Sequence, residues 1–435
     1  MRRGGIGSVL LIMIWVCSAW GYTALDLGVG SEVFPGSARC VGMGEVSVLC
    51  EDSPRSVVTN PALLGKLGRP VLSASYRLVS ANEDWSLPVH DSFDALLGYE
   101  VYSHNWNTYH DGDIALTTGR LGMLGGVSFG FAYLPAYDFR YDFYEEVRDR
   151  STTAVPADEI IAKGYVTGDG VIRSASFGLG KTWKERLSVG ASLDYLWGDY
   201  DIKARLNEID TLKVSCWKEP VEEATDTFEA SKLSGVRYRL GLAFVLNERV
   251  EVGGGFTSRA DLEGDYESNS EVGLMSFLPT TGGPEGSFKM KYPEAYWLGV
   301  TFRPRNKLLT VIEGNVRYVK WTKAQNEALE SLNLNDVYEW SLGIEHVFYN
   351  NRPLRFGFTY KPSPTEDETS EAAVTVGSAI TVSGFDIDFA VRTGWEKYRK
   401  FSMFNDATFC ARERDFSDRV SDTVVGGMVS VSRRF

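Results

Sequence analysis

A chain of 435 residues, 43% apolar and 13% aromatic, is long enough for two or three soluble domains or for one large closed sheet. Its net charge of −13 excludes a nucleic-acid partner, whose phosphates need a basic face. Beyond the first residues no run of 18 apolar residues occurs, which excludes helical membrane spans. The chain begins with Arg2, Arg3, an apolar run from Val9 to Val16 and the small residues Ala19 and Gly21. That pattern predicts a secretory leader over residues 1–21, cleaved before Tyr22, and therefore an exported protein. Cys17 follows Val16 rather than a small residue, which argues against a lipoprotein anchor.

Residues 22–69 follow the leader, and within them Ser37 to Leu67 reads SARCVGMGEVSVLCEDSPRSVVTNPALLGKL. This stretch is too rich in Gly and Ser, and too interrupted by Pro54 and Pro61, for one long helix or a central strand. Yet Val41, Met43, Val46, Val48 and Leu49 are residues of a buried type. Taken alone, Asn60-Pro61-Ala62 also fits a plain ordered turn, and the glycines a simple bend. The small-residue opening (Gly36, Ser37, Ala38, Arg39, Gly42, Met43, Gly44), the acidic step Glu51-Asp52 and Asn60-Pro61-Ala62 together resemble the N-terminal hatch of the FadL/TodX outer-membrane transport family. The resemblance implies a lumenal plug, with Gly42, Gly44, Asn60, Pro61 and Ala62 as hatch residues.

From Pro70 to Phe435 the sequence falls into segments of about ten residues that alternate apolar with small or polar positions, the period-two signal of two-faced strands. In Leu187–Trp197 one face carries Leu187, Val189, Ala191, Leu193, Tyr195 and Trp197, and the other Ser188, Gly190, Ser192 and Asp194. Val236–Leu246 repeats the pattern, with Arg237, Arg239, Gly241 and Ala243 on its second face. Fourteen strands are predicted: Pro70–Val79, Asp113–Leu121, Leu124–Tyr133, Ile172–Trp183, Leu187–Trp197, Gly235–Leu246, Val250–Ser258, Glu294–Arg303, Leu308–Tyr318, Tyr338–Phe348, Leu354–Tyr360, Ala373–Val382, Phe385–Arg392 and Val425–Phe435. Connections switch between very short, as at Lys184–Arg186 or Ser383-Gly384, and very long, as at Gly198–Ser234. Short periplasmic turns opposite long external loops are the habit of a bacterial outer-membrane barrel. Ser80–Gly112 is assigned to a first external loop.

Two further features carry the family resemblance: YPEAYWLGVTFRP from Tyr292 to Pro304 with the following Leu308–Trp321, and a chain ending on Phe435, similar to the terminal signal read by the barrel-assembly machinery. Arg433 shares the Phe435 face, where an apolar residue is usual, and can snorkel to headgroups. After the leader four cysteines remain, Cys40, Cys50, Cys216 and Cys410, which allow three connectivities. Compartment suggests Cys40 with Cys50 in the hatch and Cys216 with Cys410 between outer loops; free buried thiols remain the alternative.

No zinc spacing, nucleophile elbow or phosphate cradle occurs around His90, His104, His110 or His346, so neither an enzyme nor a metal or cofactor site is expected. The first external loop crowds Trp85, Leu87, Phe93, Leu97 and Trp106, the expected landing site for apolar cargo. Inward positions mix Val245, Trp297, Leu309 and Val311 with Arg237, Arg239, Glu313, Asn315 and Arg317, a lumen suited to amphipathic molecules. The reading is an all-β, monomeric transmembrane antiparallel barrel with a lumenal hatch, set among outer-membrane lipids. The resemblance implies passive uptake of hydrophobic small molecules such as long-chain fatty acids. The alternative is a PorV-like barrel that serves as a partner in protein secretion or surface attachment.

Overall fold

The computed structural model describes residues 23–24, 27–91, 93, 95–148, 160–207, 223–269, 274, 284–306, 309–326, 334–365, 369–404 and 417–435. In chain order the strands are β1 (Ser31–Glu32), β2 (Val71–His90), β3 (Leu96–Thr117), β4 (Val127–Asp138), β5 (Tyr141–Arg148), β6 (Ile160–Trp183), β7 (Leu187–Asn207), β8 (Glu223–Val245), β9 (Val250–Thr257) and β10 (Ala260–Asn269). They continue with β11 (Glu285–Tyr292), β12 (Ala295–Phe302), β13 (Leu309–Val319), β14 (Gln325–Asn326), β15 (Val337–Val347), β16 (Pro353–Pro362), β17 (Ser370–Val382), β18 (Phe385–Lys400) and β19 (Asp418–Arg434). Each pairs antiparallel with its neighbour, and β19 closes on β2 from Arg434 opposite Val71 to Arg419 opposite Ser86. β4 with β5, β9 with β10, β11 with β12, and β13 with β14 are single staves broken in two, so the result is a closed barrel of 14 strands.

Around the periplasmic half of the wall the outer face is apolar and the inner face small or charged. Leu193, Tyr195, Val236, Tyr238, Leu240 and Leu242 are exposed, while Ser188, Asp194, Arg237 and Arg239 are buried. Aromatic rings line both edges of that apolar band. Tyr238, Phe256, Tyr296, Tyr318 and Tyr338 follow one another at centroid separations of 4.7–6.5 Å along the outer edge. Trp183, Phe244, Phe302, Phe348, Phe385 and Phe435 are exposed at the other. Rings at both interfaces are what headgroup depth selects. The tight turns are built for their strands: Ser383 and Gly384 both take positive φ, +53° and +80°, as a two-residue hairpin of right-handed twist needs.

Above the outer girdle the strands continue and their polarity reverses. Ile202, Ala204 and Leu206 of β7, Phe228 and Leu233 of β8, Leu262 of β10, and Phe288, Met290 and Tyr292 of β11 all turn inward and are buried. Water outside and apolar packing inside give the same period of two with the faces exchanged. The predicted long loops are therefore shorter than their sequence implies. Ser80–Gly112 in particular is not a loop: β2 and β3 run on as a paired hairpin out to His90 and Leu96. Its alternation was hidden because most outward positions there are polar, Asn82, Asp84, His104, Thr108 and His110, with Trp106 an exception.

The N-terminal segment lies against the inner wall. A short helix, α1 (Ala38–Gly42), packs on β16, β17, β18 and β19, and 3-10 turns at Pro54–Val57 and Pro61–Lys66 pack on β4 and on β6–β8. Asn60 is extended (φ −129°, ψ 102°), and its side chain accepts a bond of 3.1 Å from the Ala62 amide, with Pro61 at the first helical position. Asn-Pro-Ala is thus the cap and first residues of a 3-10 turn. Gly44 has φ +73°, and a Cβ there would meet Leu342 O and Phe358 N of the wall at 2.6 Å, so only glycine fits.

Candidate functional site: an apolar interior, its seam and the N-terminal segment

β3 and β4 share only four ladder pairs, Ile114–Tyr133 to Thr117–Gly130, although β3 stays paired to β2 throughout. Beyond Ile114, towards the outside, the two sides are joined by side chains in place of a ladder. Ser103 Oγ donates to Tyr144 O at 2.6 Å, the Tyr144 amide donates to Asn105 Oδ1 at 2.8 Å, and Arg140 Nη1 donates to His110 O at 3.0 Å. Asn107 Nδ2 likewise donates to Asp142 O. A few side-chain bonds open more readily than a cooperative ladder, so this is a seam in the wall.

The edge of β4 that β3 leaves is taken from inside. Ser31 and Glu32 of β1 pair with Asp138 and Tyr137, and the Val33 amide donates to Ala136 O at 2.9 Å. The N-terminal segment therefore caps a strand edge that would otherwise be orphaned.

Behind the seam lies the apolar interior. Trp85 sits edge-on to Phe143 at 5.4 Å, Phe139 stacks on Tyr200 at 4.0 Å, and Tyr137 stacks on Tyr292 at 3.6 Å. Glu83 is buried among them, accepting from Tyr141 Oη at 2.6 Å and Tyr398 Oη at 3.3 Å. Below it a chamber of about 250 Å³ mixes charged with apolar lining, Glu32, Glu45, Arg237, Arg239 and Arg317 beside Phe34, Val48, Trp297 and Trp321. A second space of about 440 Å³, reaching Leu49, Leu63, Glu251, Arg303, Glu313 and Arg434, lies on the periplasmic side of the segment.

Ion pairs moor the segment around the circumference. Glu32 meets Arg317 at 2.7 Å, Arg39 meets Glu345 at 2.8 Å, Glu45 meets Lys361 at 2.7 Å and Arg392 at 3.2 Å, and Asp52 meets Arg434 at 3.2 Å. Arg55 pairs with Asp113 at the foot of the seam and also donates to Pro35 O at 2.9 Å, just beyond β1. Lys66 pairs with Glu251. Leu49 N donates to Glu313 Oε1 at 2.9 Å.

Of the residues predicted to meet cargo, only Trp85 lies in the apolar interior. Leu87 is half-buried, while Phe93, Leu97 and Trp106 are exposed on the outside of the β2–β3 hairpin. The hairpin does not bring the five together. Gly42, Gly44, Asn60, Pro61 and Ala62 all touch the inner wall, Gly42 at the Cα of Gly377 and Pro61 at Gly190. The expected mixed lumen is present in Arg237, Arg239, Trp297, Glu313 and Arg317. The seam and the moorings had no sequence signal, because each is a pairing between residues tens to hundreds of positions apart.

Cys40 and Cys50 are free buried thiols with their sulfurs 3.0 Å apart, and Cys216 and Cys410 lie outside the described residues. Burial pushes the Cys40 thiol well above its ordinary range. Mass spectrometry of non-reduced digests from periplasm-exported protein is expected to show Cys40 joined to Cys50; two alkylatable thiols there refute the pairing.

A closed, double-girdled barrel with residues 31–66 moored inside defines an outer-membrane protein of the channel type. The chain belongs to the outer membrane protein transport protein family (OMPP1/FadL/TodX), whose model matches residues 36–384. Members of that family are outer-membrane transporters of hydrophobic compounds. Solved structures agree on the fold: a Pseudomonas aeruginosa FadL homologue (11% identity, covering 94% of this chain and 100% of that one, TM-score 0.64) and the P. putida toluene transporter TodX (15%, 93% and 99%, 0.63). The CymD monoaromatic hydrocarbon channel is similar too (16%, 93% and 99%, TM-score 0.59). No curated protein matches the chain.

Proposed function

We propose that this barrel passes hydrophobic small molecules, with long-chain fatty acids as the leading cargo, inward across the outer membrane without an energy source. The apolar interior reached through the seam carries the reading, since an apolar route out of headgroup depth is of use only to apolar cargo. The exposed Phe93, Leu97 and Trp106 serve as the landing face, and Trp85 as the first interior contact. Residues 22–69 act as the hatch and 70–435 as the barrel, which works as a monomer among outer-membrane lipids after insertion by the barrel-assembly machinery. The toluene transporter and the monoaromatic hydrocarbon channel among its structural neighbours suggest arenes as competing cargo.

The test is uptake of labelled oleate and labelled toluene by transporter-deficient cells expressing the protein. Oleate uptake well above the empty vector supports the reading. Toluene uptake alone moves the cargo to arenes, and uptake of neither sinks it. The exposed apolar residues of the protruding hairpin are the one feature that favours the alternative, a PorV-like partner in protein secretion or surface attachment. That alternative predicts a co-purifying secretion component and no uptake.

A further inference from the structure

We propose that the outer face of β18 and β19, just beyond the outer girdle, binds the phosphate of an anionic glycolipid of the outer leaflet. Arg399 of β18 stands directly across from Arg419 of β19 in the ladder. Directly opposed like charges on one face of a sheet destabilise it. The chain has 58 Asp and Glu against 45 Lys and Arg, so a carboxylate opposite either Arg would have been easy to supply. Among the described residues no carboxylate forms an ion pair with Arg399, Arg419 or the neighbouring Lys397.

The two guanidiniums are instead organised by one ring. Tyr99 of β3 lies across them, its hydroxyl accepting from Arg399 Nη2 at 3.0 Å and its face 5.0 Å from the Arg419 guanidinium carbon. Lys397, one outward position nearer the membrane, is exposed and pairs across to Ser421. The carboxylate nearest along that row, Asp84 on β2, is already paired with His104. The inward neighbours belong to a different environment: Tyr398 bonds to Glu83 inside the barrel, and Lys400 donates to Ala24 O.

Depth selects the occupant. Trp395, exposed on the same face of β18, marks the outer girdle, and Arg399 lies four residues beyond it. At about 3.3 Å per residue and a tilt of about 45°, that is roughly 9 Å above the girdle, in the headgroup layer. A planar fork beside a second fork suits a phosphate, which accepts from both. The combination of two forks without a carboxylate partner, a lysine and a ring at headgroup height fits a phosphorylated sugar headgroup with its acyl chains lying on the apolar band below.

The mature protein, reconstituted in phosphatidylcholine nanodiscs doped with lipid A, is the material for the test, with native mass spectrometry counting retained glycolipid after extraction. Wild type is expected to retain lipid A, and to lose it in 1 M salt or when the lipid is dephosphorylated. Arg399→Gln/Arg419→Gln is expected to retain about tenfold less, since each surface cation contributes several-fold, while Arg399→Lys/Arg419→Lys is intermediate. Lys203→Gln, on β7 across the barrel, is expected to behave as wild type. Unfolding of lipid-free protein supplies the readout that a merely structural role would not give: removing one of two opposed cations in Arg399→Gln leaves the midpoint unchanged or raised. Equal retention by the double Gln variant, equal binding of the dephosphorylated lipid, or an equal loss in Lys203→Gln overturns the site.

Discussion

Deleting Ser37 to Gly65 is expected to leave a barrel that still migrates faster unheated than boiled on a denaturing gel, and that now conducts small polar solutes. The barrel closes through the β19–β2 ladder and its other strand pairs, none of which uses those residues. The wall groups that lose partners, Asp113, Glu313, Glu345, Lys361, Arg392 and Arg434, are not left as buried unpaired charges, because water fills the space the segment vacates. The segment fills the lumen below the apolar interior, which stays in place, so removing it widens the aqueous path and solute flux should rise several-fold. Swapping Asn60-Pro61-Ala62 for three glycines removes the cap on the Pro61–Lys66 turn and the Asn60 bonds to Val48 O and Leu242 O, but none of the ion pairs that moor the segment. It should therefore slow fatty-acid uptake without opening the leak. Liposome swelling and labelled uptake read the two effects separately. Loss of membrane insertion on deletion would make the segment part of the folding core and remove its role as a hatch.

How far the sequence could be read depended on which solvent each face of a strand meets. Leu187–Trp197 was legible because lipid outside demands apolar residues at every second position while the inner face carries Ser188, Gly190 and Asp194. All fourteen staves were located by that contrast, but their outer ends were not. Above the girdle the outward face meets water and the inward face an apolar core, so Ile202, Ala204 and Leu206 alternate in the opposite sense and the pattern read as loop. The N-terminal segment was legible as buried but irregular, from Val41, Met43 and Val46 among glycines; its moorings were not, since nothing local ties Arg55 to Asp113 or Glu45 to Lys361. The aromatic residues of the first hairpin were visible as a group, yet which of them face inward depends on a bulge between Trp85 and Ser86 that shifts the register.

Phe143→Asp is expected to abolish most fatty-acid uptake while leaving a folded barrel. Phe143 is 2% exposed on β5, at the inner lip of the seam, and its ring stands 5.4 Å from Trp85 and 6.4 Å from Tyr141. An ionised carboxylate there has lost its water without gaining a cation, a penalty of several kcal/mol that any apolar molecule filling the space makes worse. A rise of ~3 kcal/mol along the route corresponds to roughly 100-fold less flux. An anion beside the route also repels the carboxylate headgroup of a fatty acid. Oleate uptake should accordingly fall further than that of a neutral arene, and Phe143→Leu should keep most of both. The outward set provides the contrast. Replacing Phe93, Leu97 and Trp106 by alanine strips the landing face without touching the interior, and should raise the concentration needed for half-maximal uptake more than it lowers the maximum. If Phe143→Asp instead transports as wild type in cells where the barrel is heat-modifiable and present at normal level, cargo does not cross the apolar interior, and the route must lie elsewhere in the wall.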